Sequence, residues 1–263
     1  MRYTAPMPAP APVIVNADDF GHSAGVNEAI AAGFAAGAIS STTFMANMPA
    51  AAEAADLARA QGFDHRIGIH LNLTEGEPLS EPIRREPVFC DADGRYRPTL
   101  RRAALRLTPS QAHAVETELR AQIARTRELG ITPTHFDSHH HVHNIWPVGS
   151  IVVALARESR VPVRIARNWG PGLGAVKTAF KLAFNARLSL LGLRATEFQC
   201  LPDDLLALGG APAGSTDLVC HPRLLPNGEV TDTALGGLTL LSVLERFFPG
   251  RPRTGYGANK PGA

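Results

Sequence analysis

The sequence is poor in cysteine and carries no excess of one charge sign. Its 263 residues include three cysteines, Cys90, Cys200 and Cys220, which form neither an even set nor a CxxC pair. This pattern disfavours a disulfide framework, and we expect a protein of the reducing cytoplasm. Lys and Arg number 26 against 24 Asp and Glu, which leaves a net charge of +2. This balance, with no block of Lys and Arg longer than pairs such as Arg84-Arg85, argues against a nucleic-acid or anionic-membrane partner.

Long apolar runs are also missing. No stretch approaches the roughly 18 uninterrupted apolar residues that a membrane span needs, so we expect no membrane span. Residues 1–11 are interrupted by prolines and lack the apolar region of a signal peptide, and we expect a flexible N-terminal arm there. What is present suits a globular enzyme, because 263 residues with 44% hydrophobic content can bury the core of one large α/β domain or two small ones.

Short apolar runs alternate with helix-like segments along the chain. This rhythm predicts parallel βα units, and about 250 residues is the usual size of a (β/α) barrel. We therefore predict an α/β fold, an irregular (β/α) barrel, with an open doubly wound sheet as the alternative. The strand-like runs cover residues 12–18, 42–48, 66–74, the start of 134–143, 161–168 and 215–222, and the main helix-like segments cover 25–39, 49–62, 108–130 and 147–160.

Two segments interrupt the βα rhythm. Residues 75–107 are rich in Pro and Arg and are predicted to form a long loop insertion, whereas residues 170–195 are basic and apolar and are predicted to be helical. Between them, Thr108 and Gln111 predict a capping box that begins a helix, which Gly130 ends. We expect one barrel domain over residues 12–222 that contains both insertions.

Polar side chains lie near the end of each predicted strand. Since the site of a parallel βα fold forms at the carboxyl ends of its strands, these residues should converge although they are far apart in sequence. The adjacent pair Asp18 and Asp19 offers one carboxylate for a metal and one for a base. The candidates at the strand ends are Asn16, Asp18, Asp19, His70, the histidines of residues 134–143, Arg164 and His221.

The stretch THFDSHHHVH, residues 134–143, holds five of the ten histidines of the chain. Neutral imidazole is the commonest protein metal ligand. Alternation along an extended strand would place one set on a single face, and two or three of its members are expected to bind the metal while the others support them or contact substrate. One carboxylate with two imidazoles suits zinc and tolerates other divalent ions. The set is His135, Asp137, His139, His141 and His143.

Four motifs together resemble those of the YdjC/ChbG-like carbohydrate deacetylases, which include chitooligosaccharide deacetylases and hopanoid-associated relatives. The motifs are VIVNADDFG, GIHLNLTEG, THFDSHHHVH and a late CHP, and the resemblance covers residues 12–222. It implies a barrel of the glycoside hydrolase/deacetylase type, one divalent metal ion (Mg²⁺ or Zn²⁺) and a small N-acetylated sugar as substrate. The reaction would remove acetate from a GlcNAc-containing oligosaccharide or glycolipid. It also implies a homodimer, since members are often dimeric.

Carried over residue by residue, the resemblance makes Asp19, His70 and His139 the metal ligands and Asp18 the catalytic base. The roles of the two aspartates could be reversed. His221 is the candidate general acid, with His141 or His143 as rivals. The remaining candidates for substrate contact or for support of the ligands are Asn16, Asp137, His141, His143 and Arg164.

The chain departs from the family pattern after Pro222, where we expect a divergent C-terminal segment over residues 223–263. Two other functions stay open. A metal-dependent phosphoesterase also uses Asp and His at strand ends, although two-metal enzymes need more carboxylate ligands than this chain offers. A non-catalytic homologue that binds a metal or a sugar would keep the same pocket.

Overall fold

The computed structural model describes residues 9–100, 102–172 and 174–257. Six parallel strands form one curled sheet in the spatial order fourth, third, second, first, sixth and fifth. The six are β1 (Val13–Phe20), β2 (Ser41–Phe44), β3 (Ile67–Leu71), β4 (Phe136–Ser138), β5 (Phe198–Cys200) and β6 (Thr216–Cys220), and an antiparallel pair consists of β7 (Pro222–Leu224) and β8 (Val230–Asp232).

Helices flank the sheet, so the prediction of an irregular, TIM-barrel-like (β/α) barrel is confirmed. Short 3-10 segments cover Asp64–Arg66, Arg102–Leu105 and His139–Asn144, and the last is interrupted at His140 and His141. The helices are α1 (Ala24–Ala35), α2 (Ala51–Gln61), α3 (Glu81–Arg84), α4 (Pro109–Glu128), α5 (Trp146–Ser159), α6 (Ala175–Leu190), α7 (Pro202–Leu208) and α8 (Leu240–Phe247). In the part of the chain that is described, no helix has both the length and the apolar character needed to cross a bilayer.

The central strand β1 explains how the barrel is held together. It pairs in parallel with β2 on one side and with β6 on the other. Its apolar residues Val13, Val15 and Ala17 are completely buried. Fully buried parallel strands read as apolar runs, which is why this strand was recognisable in the sequence.

The segment 161–168 was predicted to be a strand, and this prediction is wrong for most of its length. It makes one parallel bridge, between Val163 and Phe136 of β4. On its other side the side chain of Asn168 replaces a backbone ladder: its amide donates to the carbonyl of Glu197 at 2.9 Å and accepts from the N–H of Gln199 at 3.0 Å. We call this edge between residues 161–168 and β5 the seam.

The helix predicted to begin with a capping box is confirmed as α4. The Thr108 hydroxyl accepts the N–H of Gln111, whose side chain accepts the N–H of Thr108 at 3.0 Å. The buried carboxylate of Glu118 on this helix accepts the N–H groups of Leu79 and Ser80 at 3.0 and 2.7 Å. These bonds tie the mostly irregular insertion 75–107 to the barrel. The helix predicted in the second insertion is α6.

Residues after Pro222 form the β7–β8 pair and α8, and they return to the barrel. The N–H of Val13 donates to the carbonyl of Pro252 at 2.9 Å, and that of Thr254 donates to the carbonyl of Val13 at 3.0 Å. The described part of the predicted segment 223–263 therefore shares the core of the barrel. Residues 1–8 of the predicted arm lie outside the described residues. The division of the chain at residues 11 and 222 stays a prediction.

Candidate metal centre

Three side chains from different strand ends meet at the carboxyl edge of the sheet. Asp19, His70 and His139 each offer one ligand atom, and these atoms lie within 4.8 Å of one another. The Oδ1 atom of Asp19 is 2.9 Å from Nδ1 of His139 and 3.3 Å from Nε2 of His70. The structure thus brings together the set that the family resemblance implied.

The two aspartates of β1 lie in different surroundings because the strand is irregular where they occur. The pairing register between β1 and β2 shifts between Ala17 and Phe20, and Asp19 has a φ of 71°. A non-glycine residue in this left-handed region costs roughly 1–2 kcal/mol, which neighbouring contacts must offset. Asp19 faces the two histidines, whereas Asp18 is buried inside the barrel.

The histidine run does not continue as a strand, so the prediction that alternate residues share one face is wrong. Strand β4 ends at Ser138, and the chain then turns through His140 and His141, whose φ angles are 49° and 54°. The Ser138 hydroxyl accepts the N–H of His143 at 2.9 Å and holds this turn. Of the histidines in this run, His139 is therefore the one that reaches the candidate metal centre, while His140 contacts the hydroxyl of Thr74 at 3.0 Å.

A second carboxylate holds the outer nitrogen of each candidate histidine ligand. Nδ1 of His70 lies 2.7 Å from Oδ1 of Asp137, and Nε2 of His139 lies 2.8 Å from Oε2 of Glu75. Metal-binding histidines commonly use their other nitrogen in this way, which fixes the ring and raises its basicity. Burial alone would lower the pKa of His70, but the charges of Asp137 and Asp18 raise it well above its usual value. Sequence reasoning missed Glu75, although it stands in the motif GIHLNLTEG.

Arg164 binds the buried carboxylates inside the barrel. Its guanidinium donates two bonds of 2.8 Å to Asp18, lies 2.7 Å from Asp137 and donates through Nε to Asp217 at 3.0 Å. Burial alone would raise the pKa of Asp18, yet the charge of Arg164, with that of His70, holds it well below its ordinary range. Burial raises the pKa of Asp217 to about 6 against the opposing effect of Arg164. Sequence reasoning also missed Asp217, whose only signal was a charge within an apolar strand.

The donor set fits a divalent cation on charge and on chemistry. Asp18, Asp137 and Asp217 surround one buried arginine, and the carboxylate of Asp19 is nearby. With His70 and His139 neutral, as metal binding requires, negative charge exceeds positive charge at this edge, and buried charges need compensation. Two imidazoles with one carboxylate match zinc better than magnesium, which prefers oxygen ligands.

The remaining predicted residues lie around this cluster. The Asn16 amide donates to Asp18 at 3.0 Å, which helps to fix that carboxylate. His221 follows β6, its N–H donates to Asp232 at 2.6 Å, and its charge acts on Asp18. His143 is completely buried, and burial holds its pKa well below the usual value. His141 reaches solvent, 6.3 Å from the ring of His143 between centroids. The roles of all these residues stay predictions.

The fold and the cluster are those of a (β/α)-barrel protein with an Asp/His group that can hold a metal ion. A family model described as YdjC-like protein matches residues 12–230. The chain belongs to this YdjC-like family, and the resemblance seen in the sequence is confirmed.

Relatives support the same assignment. A carbohydrate deacetylase of Halalkalibacterium halodurans is 32% identical over 214 residues, which are 81% of this chain and 85% of that protein. A carbohydrate deacetylase of Geobacillus stearothermophilus is 43% identical over 161 residues, 60% of this chain and 61% of that protein. The chain thus spans about three fifths of the length of this second relative.

A crystal structure of an Enterococcus faecalis protein, thought to cleave cellobiose phosphate, has a similar fold. It aligns with a TM-score of 0.68 and 22% identity, over 94% of this chain and 98% of that one. At this identity the likeness shows a shared fold and nothing about the reaction.

Proposed function

We propose that this protein is a metal-dependent N-deacetylase that hydrolyses the acetamide of a GlcNAc-containing oligosaccharide or glycolipid. The observation that carries the proposal is the meeting of Asp19, His70 and His139 beside Asp18 at the carboxyl edge of the sheet. The YdjC-like family and relatives that are carbohydrate deacetylases support the substrate class.

Asp19, His70 and His139 would hold one divalent ion, Zn²⁺ or Mg²⁺. Such an ion, when bound, polarises the acetamide carbonyl and makes water acidic enough to attack it. Asp137 and Glu75 orient the two histidine ligands through their outer nitrogens, at 2.7 and 2.8 Å.

The chain supplies the two proton transfers. Asp18 takes the proton of the attacking water, and Arg164 and Asn16 fix the position of its carboxylate. Asp19 is less suited to this role, because its Oδ1 faces both His70 and His139. His221 donates a proton to the amide nitrogen as the C–N bond breaks, because an unprotonated amine leaves poorly. The products are acetate and the free amine of the sugar.

His221 is preferred to His143 as the acid, and His141 stays a rival because the charge of Asp18 acts on it as well. The ring of His143 is buried, and the Ser138 hydroxyl contacts its Nδ1. His221 is half-buried and lies close enough to act on the charge of Asp18.

The test is acetate release from N-acetylchitobiose with added Zn²⁺ or Mg²⁺. We expect Asp18→Asn to lower turnover by about 10²–10⁴-fold, the range typical of one proton transfer. Asp204→Asn is the matched control, since Asp204 is also buried and paired with an arginine, Arg167, outside the cluster.

Phosphate release from 4-nitrophenyl phosphate is measured in parallel. Phosphate release without acetate release would favour the phosphoesterase. Tight metal binding with release of neither product would favour the binding protein. Either result would contradict the deacetylase.

The proposal also covers the cellular location and the oligomeric state of the protein. We place the protein in the cytoplasm, because Cys90, Cys200 and Cys220 are all free and buried. We also propose a homodimer, as the family resemblance implies. Light scattering of the purified protein measures its mass directly, and a monomer at all concentrations would refute the dimer.

A further inference from the structure

The outward side of α6 is apolar where a surface helix is normally polar. The exposed fraction is 41% for Phe180, 53% for Leu182 and 88% for Leu190. A helix at a protein surface usually turns one apolar stripe to the core and polar residues to solvent. Here small apolar residues fill the positions between the large ones, and these are Ala179, Ala183 and Ala186.

Two neighbours extend this apolar surface. The ring of Trp146, 45% exposed, lies edge-on to that of Phe180 with 6.1 Å between centroids. Leu191, 38% exposed, continues the surface past the end of α6. We call the surface formed by these residues the α6 face. It consists of Trp146, Phe180, Leu182, Leu190 and Leu191.

The charged residues of α6 and of the loop after it, up to Thr196, are all basic. From Trp169 to Thr196 the sequence has two lysines and two arginines and no acidic residue. The Arg187 guanidinium lies 5.2 Å from the ring centre of Trp146. The carboxylate that acts on Lys181 is that of Asp204, which is buried and paired with Arg167.

The positive charge continues beyond the end of the helix. Arg194 and Leu191 line one cavity together with Arg157 and Arg160 from the end of α5 and the residue that follows it. The described chain therefore presents exposed leucines and aromatic rings among arginines and lysines. The balanced net charge of +2 hides this local concentration.

We propose that the α6 face binds the surface of a membrane that carries anionic lipids. Apolar and aromatic side chains flanked by Lys and Arg are the composition of helices that lie in the membrane interface. A second copy of this chain is a poorer occupant, because two α6 faces packed together would oppose cations to cations. The helix lies on the bilayer and does not cross it.

The helix that carries the α6 face packs against the segment that follows the candidate ligand His139. Phe184, one turn along α6 from Phe180, packs 6.0 Å from the ring of His143 between centroids. Trp146 follows His143 by three residues. Binding through this face would hold the site close to the lipid surface. The inference does not rest on the proposed reaction, because lipid binding is measured without turnover.

The test is flotation of the full chain with vesicles of phosphatidylcholine, with and without phosphatidylglycerol. We expect binding to the vesicles that contain phosphatidylglycerol, with a partition coefficient that falls as salt rises. Lys177→Glu should lower that coefficient by at least about five-fold, the effect of one cation near an anionic surface. Arg85→Glu, whose side chain is 80% exposed in the insertion 75–107, is the control and should have little effect.

The apolar contribution is tested by the double variant Leu182→Ser and Leu190→Ser. We expect about a ten-fold or larger loss of vesicle binding, because each leucine loses the apolar surface that it would bury. Leu238→Ser is the matched control, with an exposed fraction of 47% near α8. Leu182 and Leu190 are both exposed, so the fold should tolerate the change.

Three results would overturn the inference. The wild-type protein could fail to bind either vesicle, or the double variant could bind as well as the control. Alternatively, the double variant could convert a dimer to a monomer while no form binds vesicles, which would assign the α6 face to a second copy.

Discussion

Replacing Asp137 with asparagine should weaken metal binding although all three proposed ligands remain. The carboxylate of Asp137 is completely buried and lies 2.7 Å from Nδ1 of His70, whose other nitrogen faces Asp19. Asparagine keeps the size and one acceptor oxygen but removes the charge. The ring of His70 then stays in place but becomes a weaker donor to a cation.

The size of the effect follows from this geometry. Removing the carboxylate partner of a metal-binding histidine typically costs 10–100-fold in affinity. Since each factor of ten is about 1.4 kcal/mol, the expected loss is roughly 1.4–2.8 kcal/mol. Asp137 is shielded from solvent and should lie in the upper half of this range. Glu75, the equivalent partner of His139, is 39% exposed, so Glu75→Gln should lose about ten-fold or less.

The assay is isothermal titration of Zn²⁺ into metal-stripped protein. Wild type, Asp137→Asn and Glu75→Gln are compared with Asp204→Asn, a buried carboxylate outside the cluster. Melting curves check that each variant is folded. The reasoning fails if folded Asp137→Asn binds Zn²⁺ as tightly as wild type, or if Glu75→Gln loses more affinity than Asp137→Asn.

Three further predictions concern stability. Arg164→Met leaves buried carboxylates without their partner and should cost about 3–5 kcal/mol in urea unfolding; an unchanged midpoint would contradict this. The pKa of Asp217 is about 6 in the fold against an ordinary value of 3.8, so its protonated form stabilises the folded state and this contribution is lost as pH rises from about 4 to 6. That loss is about 3 kcal/mol, and Asp217→Asn should lack it when unfolding is compared across this range. Gly68→Ala would place a Cβ 2.4 Å from the ring of His135, so its unfolding free energy should fall by about 1–3 kcal/mol, whereas Gly25→Ala, with nothing within 4 Å, should not lower it.

Local patterns made much of the fold predictable. The capping box at Thr108 involves residues within one turn, and the buried strand β1 is an apolar run. The segment 161–168 was wrongly predicted as a strand because it is short and apolar. The hydrogen bonds at its outer edge are made by the side chain of Asn168. Hydrogen bonds from a side chain to a distant backbone produce no periodic pattern in the sequence.

The meeting of Asp19, His70 and His139 was predictable because each lies in a motif at a strand end, and their role as metal ligands stays a prediction. The site was not predictable where a residue acts through a distant partner. Glu75 contacts His139 and Asp217 contacts Arg164, and only folding brings these distant residues together. The left-handed turn at residues 140–141 could not be foreseen either, since few non-glycine residues adopt that region, although histidine does so more often than most.

The position of Arg164 beside the seam has a consequence for how the protein denatures. Its carboxylate partners stand on β1, β4 and β6. Since the segment of Arg164 is bridged to β4, parting the barrel at the seam would withdraw the guanidinium from Asp18 on β1 and Asp217 on β6. A partly opened state would be high in free energy, because each carboxylate left behind would be a buried charge without a partner. Heat inactivation and global melting should therefore coincide in this protein, with no inactive intermediate that keeps its tertiary structure.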